Sequence, residues 1–239
     1  MNSKFVDEFR RICLDEQKHY YAFDALELVR SKNLLDQQEI EVLDLGAGSK
    51  KMTSSKRKVS EIAKHSLKRE KYAKVLFKLA NWLEVNHILE VGTSLGISTA
   101  YLGKARKKSK ITTLEGCPET QKMAKSNLGQ LKCDHVQFVL GNFEETLKEQ
   151  LEKSSFDLLF LDGNHTYDAT IKYFDWAHKH HSSEMVIVVD DIYWSRDMTK
   201  AWNEIKTNFP NALYIDLYEM GVIFLNYSES GEYYFRVRN

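Results

Sequence analysis

Glu90-Val-Gly92-Thr93-Ser94-Leu-Gly96-Ile-Ser98 decides how this chain of 239 residues is read. An apolar run, His87 to Val91, leads into it and an amphipathic stretch, Ser98 to Lys107, follows, so a glycine-bearing turn joins a strand to a helix. Glycines at Gly92 and Gly96 let the backbone turn tightly and approach a ligand. The free N–H groups at the helix start can meet a carboxylate or phosphate. The next apolar run ends at Glu115, 19 positions past Gly96 (115 − 96), close to the roughly 20 expected of a carboxylate that grips ribose hydroxyls. A glycine turn alone serves strand–helix packing equally well, but turn and acid at this spacing point to a nucleoside cofactor.

Outward from the turn, short apolar runs alternate with amphipathic stretches, the pattern of repeated βα units. The runs are His87 to Val91, Ile111 to Leu114, Val136 to Leu140, Phe156 to Leu161, Met185 to Val189, Leu213 to Leu217 and Val222 to Leu225. The last two are joined by Tyr218-Glu-Met-Gly221, too short for a helical crossover, so they should be antiparallel neighbours. Phe5 to Ser31 and Val59 to Val85 have apolar residues at helical spacing. The expected fold is α/β: a Rossmann-like, seven-stranded, mostly parallel sheet with its last strands antiparallel and helices on both faces. It would occupy residues 86–239, after an N-terminal helical extension or lid over 1–85.

Lys+Arg and Asp+Glu both number 34, so no charge excess argues for a nucleic-acid partner. Cys13, Cys117 and Cys133 are odd in number and lack CxxC spacing, which fits reduced thiols in a cytoplasm better than disulfides or zinc. No apolar run nears the roughly 18 residues needed to span a bilayer. The expectation is a soluble cytoplasmic protein with a small-molecule partner, no membrane partner, and a homodimer left open.

The turn and the acid resemble the first motif and second-strand acid of class I S-adenosylmethionine-dependent methyltransferases. The stretch from Ile88 to Asp191 looks like the catechol O-methyltransferase-like branch. That branch's motif, Glu-x-Gly-x-x-x-Gly-x-Ser, is matched by Glu90, Gly92, Gly96 and Ser98. The resemblance implies S-adenosylmethionine as cofactor, its methionine part cradled by Gly92, Thr93 and Ser94 and its ribose held at Glu115 and Gly116. Gly141-Asn142-Phe143 falls where the family lines the adenine pocket, so that Phe143 would stack on the purine. The first 85 residues lie outside the resemblance.

Phe160-Leu-Asp162-Gly-Asn-His165 closes the fourth predicted strand and Val189-Asp190-Asp191 the fifth. In a wound sheet these ends share one rim with the cofactor. Three close carboxylates repel one another unless protonated or neutralised by a cation, and hard oxygen ligands suit magnesium or calcium. A divalent cation on Asp162, Asp190 and Asp191 is therefore expected, and the resemblance agrees in part: metal-dependent members have Asp, then Asp and Asn, at these places. Asp191 departs from that pattern by a charge. Catechol enzymes carry a lysine base three positions after the first metal aspartate, where this chain has His165 (165 − 162). An imidazole of ordinary pKa, about 6.5, suits proton removal near neutrality. His165 and Asp162 are thus the catalytic candidates for displacement at a methyl carbon by a substrate hydroxyl. The plainer reading makes Asp162 and Asp190 polar strand ends that cap helices, with His165 a loop residue. Tyr193, Trp194 and Trp202 would line an acceptor pocket or, as aromatics more often do, the core.

A second glycine loop, Val42-Leu-Asp44-Leu-Gly46-Ala-Gly48-Ser49, would pass for a first methyltransferase motif on its own. No acidic strand end serves it, so it reads as a turn between helices or a piece of a lid. A nicotinamide oxidoreductase shares strand, turn and ribose acid but prefers Gly-x-Gly-x-x-Gly, whose middle glycine is missing here. A non-catalytic S-adenosylmethionine-binding protein is the remaining alternative, disfavoured by the intact acidic cluster.

Overall fold

A computed structural model describes residues 3–44, 53–181 and 183–237; Gly46, Gly48 and Ser49 of the upstream loop lie outside the described residues. Two helices open the chain, α1 (Lys4–Cys13) and α2 (Ala22–Leu35), followed by strands β1 (Glu39–Asp44) and β2 (Thr53–Lys58). Helices α3 (Val59–Ser66) and α4 (Glu70–Trp82) lead into β3 (His87–Val91), α5 (Ile97–Ala105), β4 (Lys110–Glu115), α6 (Pro118–Gln130) and β5 (Val136–Leu140). Then come α7 (Phe143–Lys153), β6 (Leu158–Leu161), α8 (Tyr167–His180), β7 (Met185–Asp190) and α9 (Arg196–Asn208). The chain closes with β8 (Leu213–Asp216), β9 (Met220–Leu225) and β10 (Gly231–Tyr234).

The main sheet has the order β10-β8-β9-β7-β6-β3-β4-β5. β9 runs antiparallel to both β7 and β8, as the short Tyr218–Gly221 connection requires. The sheet is Rossmann-like and mostly parallel, but it has eight strands where seven were expected. The eighth, β10, pairs parallel to β8 and is half exposed in alternation. Four residues on a sheet edge bury too little to leave a clear apolar run.

Period-two burial splits each strand between two cores. Ile88, Leu158, Phe160, Val186 and Val188 face one apolar cluster, Leu89, Leu159, Leu161, Ile187 and Val189 the other. Helices α7, α8 and α9 cover the second face with Leu147, Phe174 and Trp202. The first face is covered by α4 and α5, with Val6 and Phe9 of α1 and Phe23 and Leu26 of α2 in the same cluster. The N-terminal helices are thus continuous with the sheet's own core.

Sequence periodicity finds α1 to α4 but not the antiparallel pair β1–β2 between them. Ile40 of β1 joins Val59, Ala63 and Leu95 in a small cluster, which sets the pair beside the glycine turn. Leu43 N donates to Cys117 Sγ, two residues past Glu115 (3.3 Å). All three cysteines are free and buried, and no helix among the described residues is long and apolar enough to cross a membrane.

Candidate active site

The turn after β3 is tied to the end of β4. Gly92 N and Thr93 N both donate to Leu114 O at 3.1 Å, and Ser94 N donates to Glu115 Oε2 at 2.7 Å. Cys117 N occupies the other carboxylate oxygen at 2.9 Å. Glu115 therefore lies against the turn, and burial raises its carboxyl above the ordinary range despite these N–H donors. Each carboxylate oxygen has a second lone pair for a hydroxyl.

Gly92 has φ +101°, and a Cβ there would stand 2.1 Å from the Asp162 carbonyl oxygen, so no side chain fits. Gly96, at φ +78°, meets α6 instead: a Cβ would press Leu128 Cδ1 at 2.6 Å. The first glycine brings β3 against β6 at the rim, and the second seats α5 on α6.

Glu90 and Ser98 face inward. Glu90 is fully buried and accepts from Ser98 Oγ and Thr113 Oγ1, each at 2.7 Å, and from Thr99 Oγ1. Burial pushes its carboxyl up to about 7 against the pull of these hydroxyls. Thr93 is buried as well, with Oγ1 on Thr113 Oγ1 and Leu114 O. These motif residues hold the turn from behind. Asn142 caps α7, its side chain accepting from Glu144 N at 2.8 Å, while the Phe143 ring lies on Gly163, next to Asp162. Gly116 is half-buried between Glu115 and α6.

A cavity of about 640 Å³ opens beside the turn, lined by Gly92, Ser94, Asp162, His165, Asp190 and Asp191 from the sheet rim. Lys64 to Arg69, from α3 and the loop before α4, close its opposite side, and Tyr193, Trp194 and Tyr218 supply aromatic walls. Trp202 does not reach it: the indole is fully buried in the second core, with Nε1 donating to Asp216 Oδ2 at 3.2 Å. Ser94, Asp191 and Tyr218 adopt left-handed backbone (φ 48°, 55° and 75°), a local strain that concentrates at sites whose surroundings enforce it.

Asp162, Asp190, Asp191 and His165 do converge. His165 Nε2 stands 3.6 Å from Asp162 Oδ1 and 4.0 Å from Asp191 Oδ2, close enough for charge attraction but too far for a hydrogen bond. Burial and then the charge of Asp190 push Asp162 well above the ordinary carboxyl range, and the same two causes raise Asp191.

The cluster also holds a residue that motif spacing does not reveal. Lys68 Nζ donates to Asp190 Oδ1 and lies 3.8 Å from Asp191 Oδ1, with both Lys68 and Asp190 buried. Burial disfavours its charge, but Asp190, Asp162 and Asp191 together outweigh that and hold the ammonium above the usual lysine value. Lys68 is 122 positions from Asp190 and in no motif, so only tertiary packing brings the two together. This donor set does not fit a divalent cation. An ammonium has three donors and no acceptor, and two like unit charges about 4 Å apart near a protein surface oppose each other by ~4 kcal/mol, twice that for a divalent ion. The turn that admits no Cβ and the buried Glu115 beside it are, by contrast, residues that could hold a nucleoside cofactor.

Comparison with known proteins agrees with this geometry. Residues 89–192 match the family described as "Methyltransferase domain". A catechol O-methyltransferase of Mycobacterium tuberculosis is 33% identical over 121 residues, which cover 50% of this chain and 54% of that protein. The chain spans about half the length of the curated relatives it matches. Among solved structures, the O-methyltransferase TomG from Streptomyces achromogenes in complex with SAM superposes with a TM-score of 0.63 at 18% identity, covering 94% of this chain and 99% of that one. An O-methyltransferase from Bacillus cereus in complex with SAH gives 0.61 at 19%, covering 92% and 96%. The matched stretch holds the glycine turn, Glu115 and the strand ends at Asp162 and Asp190, so over residues 89–192 the chain is similar to methyltransferases, and its fold is that of the O-methyltransferase structures named above.

Proposed function

We propose that this chain methylates a hydroxyl of a small molecule held in the cavity beside Gly92. The observation that carries the reading is the 2.7 Å contact from Ser94 N to Glu115, which joins turn and ribose acid into one cradle at the cavity's edge. S-adenosylmethionine, when bound, supplies an electrophilic methyl group. Glu115 accepts from the ribose hydroxyls, the turn at Gly92 to Ser94 receives the methionine part, and Phe143 flanks the adenine. His165 takes the hydroxyl proton as the acceptor oxygen attacks, a role suited to a half-exposed imidazole on the cavity wall. Tyr193, Trp194 and Tyr218 favour a flat, apolar acceptor. The metal-assisted version of the reaction is not adopted, because the Lys68 ammonium already occupies Asp190 Oδ1, the most buried of the candidate ligand oxygens.

Calorimetry with adenosylhomocysteine against NAD tests the cofactor, and preference for NAD ends the proposal. Turnover on a panel of phenols, sugars and small hydroxy compounds separates an enzyme from a binder. His165→Ala is expected to lower turnover roughly 10²- to 10⁴-fold, the usual contribution of a positioned base, with adenosylhomocysteine affinity unchanged. Full turnover in that variant would remove His165 from the mechanism.

A further inference from the structure

We propose that Lys68 is the resident cation of the acidic cluster: its ammonium does for Asp162, Asp190 and Asp191 what a divalent ion would otherwise do, and the site works without a metal. The inference rests on the methyltransferase reading only for the chemistry that follows, not for the charge arrangement. Lys68 is not a surface lysine that has swung inward. Its backbone is held from two sides: Leu67 N bonds Ala63 O of α3, and Arg30 of α2 donates to Lys68 O. The side chain, 7% exposed, passes along the Tyr72 ring with Nζ 5.9 Å from its centroid and ends on Asp190, itself 2% exposed.

Three carboxylates at the mouths of two neighbouring strands require compensation. Lys68 supplies a permanent positive charge bonded to the most buried of them and facing the cavity that His165 also lines. Of its three N–H donors one is taken by Asp190, which leaves donors for an acceptor oxygen as charge develops on it. A divalent ion ligated by the same oxygens would stand 2.0–2.6 Å from each of them, within a few ångströms of Nζ, and the two cations exclude each other. Lys68 also ties the loop between α3 and α4 to the rim that carries Asp190 and Asp191.

Manganese titration of the full chain, read by electron paramagnetic resonance, tests this directly. The unmodified chain is expected to show no stoichiometric Mn²⁺ site that Asp190→Asn removes. Lys68→Met should create one, tightening Mn²⁺ binding by roughly 100-fold or more, as expected when a like charge leaves the site, and the added Asp190→Asn should abolish it. Lys68→Arg should remain silent. A stoichiometric Mn²⁺ site in the unmodified chain that Asp190→Asn abolishes overturns the proposal, and this arm needs no lysine variant to fold. A folded Lys68→Met that gains no site also overturns it, since the ammonium is then not what keeps the ion out. Adenosylhomocysteine calorimetry on the same samples keeps the two questions apart: its failure removes the methyltransferase reading and leaves the manganese result standing.

Discussion

At Gly92 the backbone leaves no room for any other residue, and at Glu115 two backbone N–H groups, from Ser94 and Cys117, converge on one carboxylate. A methyl group at position 92 would sit 2.1 Å from the Asp162 carbonyl oxygen at a φ of +101°. Gly92→Ala should therefore cost about 1–3 kcal/mol in strain and push β3 away from β6, lowering both the melting temperature and adenosylhomocysteine affinity. Glu115→Ala should weaken that affinity roughly 10- to 100-fold, the worth of a hydrogen bond to a charged group; calorimetry on a variant whose circular dichroism is unchanged checks it. An affinity equal to that of the unmodified chain would show that the ribose lies elsewhere. Glycines and the acid are legible in sequence because each is defined by its position on a strand. Glu90 is legible as a motif member, but its direction is not: alternation along β3 cannot say which face its three hydroxyl partners occupy.

At the scale of elements, Trp202 separates packing from binding. It sits on α9 near the cavity in sequence, yet its indole is buried against β8 and bonded to Asp216. Trp202→Ala should cost ~3–5 kcal/mol, measured by urea denaturation, while affinity and turnover hold at temperatures where the variant stays folded. Loss of turnover without loss of stability would return Trp202 to the pocket. Strands β3, β4 and β6 to β9 announce themselves as apolar runs because they are buried on both faces. β2, Thr53-Ser-Ser-Lys-Arg-Lys58, does not, since it is paired only with β1 and carries a polar, basic sequence. The alternation in Glu39-Ile-Glu-Val42 is the signal that would have marked its partner.

Across the whole molecule, burial of acids gives stability a pH dependence of one dominant sign. Glu90 rises from an ordinary 4.5 to about 7, and Glu27 and Glu115 shift the same way, each first through burial. A carboxyl raised by folding is protonated in the folded chain where the unfolded chain has lost its proton. The stability it contributes is complete below about 4.5 and is lost as pH rises through about 7. Urea denaturation between about pH 5 and pH 8 should show stability falling with pH, and Glu90→Gln should flatten that slope. A slope that survives the substitution unchanged would assign the linkage to the other acids.

By itself the amino-acid sequence determined the αβ alternation, the glycine turn, the acid that ends β4 and the strand ends that carry Asp162, His165, Asp190 and Asp191, because each depends on local periodicity or on spacing along one βα unit. Only the tertiary structure decided that α1, α2 and α4 share the sheet's core, that Glu90 turns inward, and that the cation among the carboxylates is Lys68. Those facts depend on contacts between distant segments, 122 positions apart for Lys68 and Asp190 and 215 (224 − 9) for Phe9 and Phe224, and neither periodicity nor spacing carries information over such distances.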